Sequence, residues 1–120
     1  MKQSIARFEI EPAAGMLPSA FTAADAFTTA ENSETNHYYH ATDDESMLAG
    51  VWECSPCKEV FEAYPVNEMM TVVSGVVKVT NDESGVVETF KAGDTFFIAK
   101  GARCTWEITD TLRKFYFISS

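Results

Sequence analysis

From residue 47 to residue 120 the chain consists of short apolar stretches separated by turn residues. The strand-like stretches are 48–54, 59–64, 68–73, 76–80, 86–90, 95–99, 104–109 and 114–119. Glycine, proline, asparagine and serine stand between them, and no helical periodicity intervenes. Strands at intervals of about 8 to 12 residues, without helices, are typical of a β-sandwich or β-barrel. The pattern therefore predicts an all-β domain over 47–120.

Residues 1–46 differ in composition from the rest of the chain. Alanine, threonine and acidic or amide residues dominate there, and proline and glycine interrupt them. Only residues 5–10 alternate like a strand, and no part of this segment has the periodicity of a long amphipathic helix. We expect an irregular arm that belongs to the same domain and lies over its surface, anchored by Phe21 and Phe27.

Charge and length restrict the partners and the compartment. The 120 residues carry nine basic and eighteen acidic side chains, a net charge of −9, which repels phosphate backbones and anionic lipids. No apolar run approaches the roughly 20 residues that span a bilayer, and the first residues lack the apolar block of a signal peptide. We therefore expect a cytoplasmic protein that binds neither nucleic acid nor membranes.

The three cysteines point to the same compartment, because an odd number of thiols without a signal peptide suits a reducing environment. Two of them, Cys54 and Cys57, have the spacing of a redox pair or of half a zinc site. A redox pair of this kind usually opens a helix, whereas the flanking residues here are strand-like. A turn between two strands is the interpretation that the flanks favour.

Period-two alternation assigns side chains to the faces of the strands. It yields four rows: Glu68, Met70 and Val72; Cys104, Trp106 and Ile108; Lys114, Tyr116 and Ile118; and Val60, Glu62 and Tyr64. The rows are apolar except for a few polar members, as expected of a barrel with a polar pocket in its mouth.

Two segments, 62–75 and 93–106, resemble the paired motifs of the cupin superfamily. Glu68 and Gly75 keep the separation of the first motif, and Gly93, Gly101 and Cys104 keep that of the second. The chain looks most like small single-domain cupins related to ureidoglycine aminohydrolase and to the ethanolamine-utilisation cupin, over about residues 47–118 (the stretch that shares the strand pattern). The resemblance implies a jelly-roll β-barrel.

The resemblance also implies metal-ligand positions, which hold three histidines and a glutamate in a typical cupin. Here they fall on Glu62, Tyr64, Glu68 and Cys104, and no histidine is among them. Imidazole is the usual ligand for iron, zinc or copper, and a tyrosine ligates only as phenolate. We expect no metal cofactor; if a metal binds, Glu62, Glu68 and Cys104 are its candidate ligands.

Glu68 is the central candidate of the pocket, because its neighbours on the strand are apolar and an unpaired buried charge is costly. Either it is a general base or binding carboxylate, or it forms a structural pair with Lys114, Tyr64 or Tyr116. The residues expected to contact a ligand are Trp52, Glu62, Tyr64, Glu68, Cys104, Trp106, Lys114 and Tyr116. Cys104 has two interpretations, a nucleophile or a small buried apolar side chain.

Two acidic residues near the mouth, Glu62 and Glu68, face a single lysine, Lys114. Two carboxylates close together in a cavity need a cation or a shared proton, so we expect a ligand with an amine, guanidine or ureido group. Two functions remain open. One is a small-molecule-binding module without catalysis; the other, implied by the resemblance, is a small enzyme of ureide or amine metabolism with Glu68, Tyr64 and Lys114 as acid–base groups.

A further set of apolar side chains alternates to the outside of the predicted strands, namely Met69, Val73, Phe97, Phe115 and Phe117. Outward apolar rows need a cover. We expect a homodimer, with the arm as a second possible cover.

Overall fold

The computed structural model describes residues 4–120 and contains eight β-strands and no helix in that range. They are β1 (Leu17–Pro18), β2 (Glu34–Ala41), β3 (Met47–Cys54), β4 (Cys57–Phe61), β5 (Asn67–Asn81), β6 (Val87–Lys91), β7 (Thr95–Ile98) and β8 (Cys104–Ser119). The prediction of an all-β domain is confirmed. Nothing between residues 4 and 120 forms a helix that could cross a bilayer.

Two long strands, β5 and β8, organise the fold because each changes direction near its middle. The first part of β5 pairs with the last part of β8, and β7 and β3 flank them. The last part of β5 pairs with the first part of β8, and β6 and β4 flank those. The antiparallel sheet thus folds over itself, and Trp52 of β3 meets Trp106 of β8 with ring centroids 6.5 Å apart.

The change of direction in β5 lies at Gly75, where the sequence predicted a turn between two strands, 68–73 and 76–80. The structure joins them into one strand whose register against β8 shifts there. Gly75 has a φ of 86°, and a Cβ at this position would lie 2.0 Å from the carbonyl oxygen of Thr111. Only glycine fits both constraints. The two last predicted strands likewise form a single strand, β8.

The predicted inward faces of β5 and β8 are correct. Glu68, Met70 and Val72 of β5 are buried, and so are the alternate residues of β8, which comprise Cys104, Trp106, Ile108, Leu112, Lys114 and Tyr116. These side chains meet between the two halves of the sheet. The row of Val60, Glu62 and Tyr64 is wrong for Val60 and Glu62, which are exposed, and correct for Tyr64, which is buried.

The error in that row comes from the end of β4. The strand stops at Phe61 and the chain bends over the next two residues, so alternation does not continue through them. Within β4, Val60 is 63% exposed and points outward, whereas Glu59 and Phe61 are half-buried. After the bend Tyr64 returns to the interior, while Glu62 stays exposed.

The sheet extends into the segment assigned to the arm. The predicted strand over 5–10 does not form; instead β2 pairs along the whole of β3. The sequence of β2 does not indicate a strand, because its inward residues, Glu34 and Asn36, are polar. Both are buried and accept hydrogen bonds, so β2 lacks the apolar alternation that marks a strand.

The rest of the described arm packs on two surfaces. Residues 19–28, called the strap below, run from β2 to the free edge of β4, where Phe27 bridges Cys57. Phe27 packs on the core, but Phe21 is 61% exposed. Nearer the N-terminus, Phe8 covers part of the outer face, with its ring 5.6 Å from that of Phe115.

Candidate functional site

A cavity of about 340 Å³ lies inside the folded sheet. Apolar side chains form most of its wall, namely Phe21, Leu48, Trp52, Phe61, Pro65, Val66, Trp106 and Ile118. Its polar lining consists of Thr22, Glu45, Glu59, Tyr64, Glu68, Lys114 and Tyr116. A mostly apolar wall with a few converging polar groups is typical of a small-molecule site.

The centre of the polar lining is a buried ion pair. The Nζ of Lys114 lies 2.6 Å from Oε2 of Glu68, and the hydroxyl of Tyr64 donates a hydrogen bond to Oε1 at 2.7 Å. Glu68 and Lys114 are only 4% and 5% exposed. Burial, together with the Glu68 charge, raises the pKa of the Tyr64 phenol, so Tyr64 remains a hydrogen-bond donor. Both oxygens of Glu68 are thus engaged by donors of this chain.

Aromatic rings enclose the Lys114 ammonium. Its Nζ lies 4.6 Å from the ring centroid of Trp52 and 4.8 Å from that of Trp106, both within the range of a cation–π interaction. It also donates to Sδ of Met70 at 3.4 Å. The ammonium is therefore held by one carboxylate and two indole faces.

Residues of β2 and β3 determine the position of the Tyr116 side chain. Its hydroxyl donates to Oδ1 of Asn36 at 2.6 Å, and burial raises the pKa of the phenol. A Cβ on Gly50 would lie 2.9 Å from this hydroxyl and 2.2 Å from the carbonyl oxygen of His37. Glycine at that position allows Tyr116 to reach β2.

Two further carboxylates line the cavity, the exposed Glu45 and the half-buried Glu59, and sequence reasoning selected neither of them. Burial raises the pKa of the Glu59 carboxyl, although a hydrogen bond from the backbone of Ala23 lowers it. Lys114 is already paired with Glu68, so its charge does not balance Glu59. The signal that identifies Glu59 is its position two residues after the buried Cys57 in β4.

The strap forms one edge of the cavity through Phe21 and Thr22, and Glu34 holds it there. Oε2 of Glu34 accepts from the Ser19 hydroxyl at 2.6 Å and from the Phe21 amide at 2.8 Å. Oε1 accepts from the Thr22 amide at 2.7 Å. The indole of Trp52 also donates to Oε2, at 3.1 Å. One carboxylate therefore joins the strap to the aromatic wall.

Of the residues that the sequence suggested for ligand contact, all except Glu62 and Cys104 line this cavity. Glu62 is exposed and lies outside it. Cys104 points inward but contributes to a second cavity, beside Phe96 and Arg103. Burial raises the pKa of the Cys104 thiol, which does not favour a nucleophilic thiolate.

Cys54 and Cys57 are both buried and free, in the core rather than in the cavity wall. Cys54 ends β3 and Cys57 begins β4. They therefore flank a short connection between two strands, as the turn interpretation predicted.

A family model described as the EutQ-like cupin domain matches residues 41–116. No curated protein matches the chain. Among solved structures, a protein of unknown function of the DUF861 family from Pseudomonas syringae pv. tomato aligns with a TM-score of 0.80 and 25% identity. The alignment covers 93% of this chain and 46% of that one, so this chain spans less than half the length of that protein.

Two further solved structures carry the ethanolamine-utilisation description. The putative ethanolamine utilization protein Q of Salmonella typhimurium aligns with a TM-score of 0.59 and 23% identity, over 72% of this chain and 69% of that one. The EutQ protein of Clostridium difficile aligns with a TM-score of 0.59 and 20% identity, over 79% and 75%. At these identities the likeness concerns the fold, and it confirms the predicted jelly-roll cupin architecture.

Proposed function

This chain belongs to the EutQ-like cupin family, and from that premise we propose that it binds a small molecule in the cavity around Glu68. The observation that carries the proposal is the cavity itself, with its aromatic wall and its buried Glu68–Lys114 pair. A polar group buried in an apolar wall orients a ligand, while the wall supplies contact area.

The charges of the lining favour a ligand with nitrogen donors. Glu45, Glu59 and Glu68 line the cavity with Lys114 as the single basic side chain of the lining. Because Lys114 and Glu68 neutralise each other, Glu45 and Glu59 are left to meet a ligand, and Glu59 is the half-buried one of the two. We therefore propose an amine, guanidine or ureido compound whose nitrogen approaches Glu59 and whose body packs on Trp52 and Trp106.

A thermal-shift comparison tests the ligand class. We expect propylamine, methylguanidine or N-methylurea to raise the melting temperature more than succinate does, because succinate would add negative charge beside Glu59. Glu59→Gln should lose at least half of that increase. The matched control is Glu62→Gln, which makes the same change on an exposed residue outside the cavity and should respond like wild type.

The proposed ligand class fails if succinate stabilises the protein most, or if Glu59→Gln responds like Glu62→Gln. Isothermal titration with the best compound then supplies the stoichiometry, expected to be one per chain.

We also propose that two copies of the chain associate through the outer face of β7, β5 and β8. Phe97, Met69 and Phe117 lie side by side on these strands and are 58%, 52% and 39% exposed. Phe8 covers Phe115 but leaves this row open. A contiguous uncharged row suits a self-complementary, two-fold contact.

If two copies associate in this way, light scattering at a chain concentration of tens of micromolar should give a mass near twice 13.3 kDa. Met69→Lys puts a charge at the centre of the row and should weaken self-association at least about 100-fold, since two buried ammonium groups would face each other across the axis. Val87→Lys, on β6 and equally exposed, is the control and should leave the mass unchanged. A wild-type monomer under these conditions contradicts the proposal.

A further inference from the structure

The cupin resemblance implies a metal ion, but the side chains at its ligand positions do not converge. Glu62 is exposed outside the cavity, and Cys104 borders a different cavity. No group of three or more histidine, cysteine, aspartate or glutamate side chains that could hold a metal ion occurs among residues 4–120. Zinc sites take three protein ligands when catalytic and four when structural. These residues therefore do not fit a resident metal.

Two of the implied ligand positions, Tyr64 and Glu68, do line the cavity. Their side chains are already bonded to each other, and Glu68 is also bonded to Lys114. Tyr64 donates to one oxygen of Glu68, and Lys114 donates to the other at 2.6 Å. Tyr64 would have to lose its proton to ligate a metal, and burial opposes that loss by raising its pKa. A metal at Glu68 would also have to displace the Lys114 ammonium and meet its positive charge.

From this geometry we infer that the Lys114 ammonium is the built-in cation of the cavity, balancing Glu68 where the resemblance would put a metal ion. Three features support it: the 2.6 Å contact with Glu68, the faces of Trp52 and Trp106 within 5 Å of Nζ, and the near-complete burial of the pair. A metal site needs several electron-pair donors around one point, whereas an ammonium is satisfied by one carboxylate and aromatic faces. This assignment is independent of which molecule the cavity binds.

Chemical rescue tests the assignment. Lys114→Ala removes the cation and leaves a space that matches n-propylammonium, so this variant should melt about 10 °C or more below wild type. Millimolar n-propylammonium should recover part of that loss, and 1-propanol, which fills the same space without a charge, should recover much less. In Lys114→Ala/Glu68→Gln the increase should fall to no more than propylamine gives in wild type, because the carboxylate that attracts the ammonium into the vacated space is gone.

A second background variant separates this inference from the proposed ligand class. In Lys114→Ala/Glu59→Gln the rescue should persist, because it depends on Glu68 and not on Glu59. Equal effects of 1-propanol and n-propylammonium, or rescue that depends on Glu59 alone, would overturn the inference without touching the small-molecule proposal.

Metal analysis of the wild-type protein provides a measurement that needs no variant to fold. After purification without chelators and dialysis against Mn²⁺, Fe²⁺, Ni²⁺ or Zn²⁺, we expect less than about 0.1 equivalent of bound metal, since the ligand set for such ions is missing. One equivalent that is lost in Glu68→Gln would show that Glu68 is a metal ligand and that Lys114 does not hold its place.

Discussion

Glu68→Gln is expected to lower the free energy of unfolding by about 3 to 5 kcal/mol, the range measured when one partner of a buried ion pair is removed. The substitution keeps the volume of the side chain and still accepts the Tyr64 hydrogen bond, but it leaves the Lys114 ammonium buried without its counter-charge. Because Lys114 is only 5% exposed, water replaces little of the lost interaction. Urea denaturation followed by tryptophan fluorescence measures the change.

A double-mutant cycle identifies the cause. Glu68→Gln combined with Lys114→Met removes both charges, and we expect it to recover most of the stability, because apolar groups of similar volume replace buried ion pairs at little net cost. Glu62→Gln, an exposed carboxylate six residues earlier, should change the free energy of unfolding by less than about 0.5 kcal/mol. A Glu68→Gln variant within about 0.5 kcal/mol of wild type, the usual range of surface substitutions, would mean that the pair does not stabilise the fold.

The partners of Glu68 were predictable because β5 and β8 are continuous strands on either side of their bends. Within such a strand, alternation fixes the face of every residue once one apolar row is recognised. Glu68, Lys114 and Tyr116 were therefore assigned to the interior correctly. Lys114, Tyr64 and Tyr116 were all left open as partners of Glu68. The structure has the bonds to Lys114 and Tyr64, whereas Tyr116 donates to Asn36.

Alternation failed where the chain bends and where position along the strand matters. It carried the row of β4 past Phe61 to Glu62, although the strand had ended, and so selected Glu62 in place of Glu59. It assigned Cys104 to the interior correctly, but alternation does not specify how far along the barrel a residue lies. Cys104 starts β8, opposite Asn81 at the end of β5, and borders the second cavity.

The contribution of the arm was not predictable from hydrophobicity. β2 has polar inward residues, and the strap is held by hydrogen bonds to the Glu34 carboxylate rather than by an apolar stripe. In the sequence, a single glutamate in a polar segment looks the same as a glutamate in a surface loop. Only its tertiary contacts distinguish the two.

Glu34→Ala is expected to lower the free energy of unfolding by about 3 kcal/mol, because hydrogen bonds to a charged acceptor contribute about 1.5 to 3 kcal/mol each and part of the loss is offset when the freed strap donors meet water. The Trp52 indole, buried in the cavity wall, has no such access. The intrinsic fluorescence of the native protein should therefore change as well. Glu31→Ala, an exposed acidic residue just before β2, is the matched control.

Ligand binding should weaken in the same variant, since Phe21 and Thr22 form one edge of the cavity only while Glu34 holds their amides. Hydrogen exchange at these two amides provides the direct readout and should be faster in Glu34→Ala than in Glu31→Ala. If the two variants exchange and unfold alike, Glu34 does not fix the strap.

The pH dependence of Glu34 follows from its hydrogen bonds. Burial by itself would raise the pKa of this carboxyl, but the donors of Ser19, Phe21, Thr22 and Trp52 favour the ionised form and hold the pKa below its ordinary value of 4.5. A carboxyl whose pKa is lowered in the folded state stabilises that state fully above its unfolded pKa, and the contribution disappears as the pH falls through the folded pKa. Glu34→Gln lacks this titration, so the difference in unfolding free energy between wild type and Glu34→Gln should be constant between pH 6 and pH 7 (about two units above the ordinary value) and should shrink below about pH 4.5. A difference that stays constant down to pH 3 (well below that value) would mean that the carboxylate charge of Glu34 does not hold the strap, and that the carbonyl oxygen shared by Glu and Gln is sufficient.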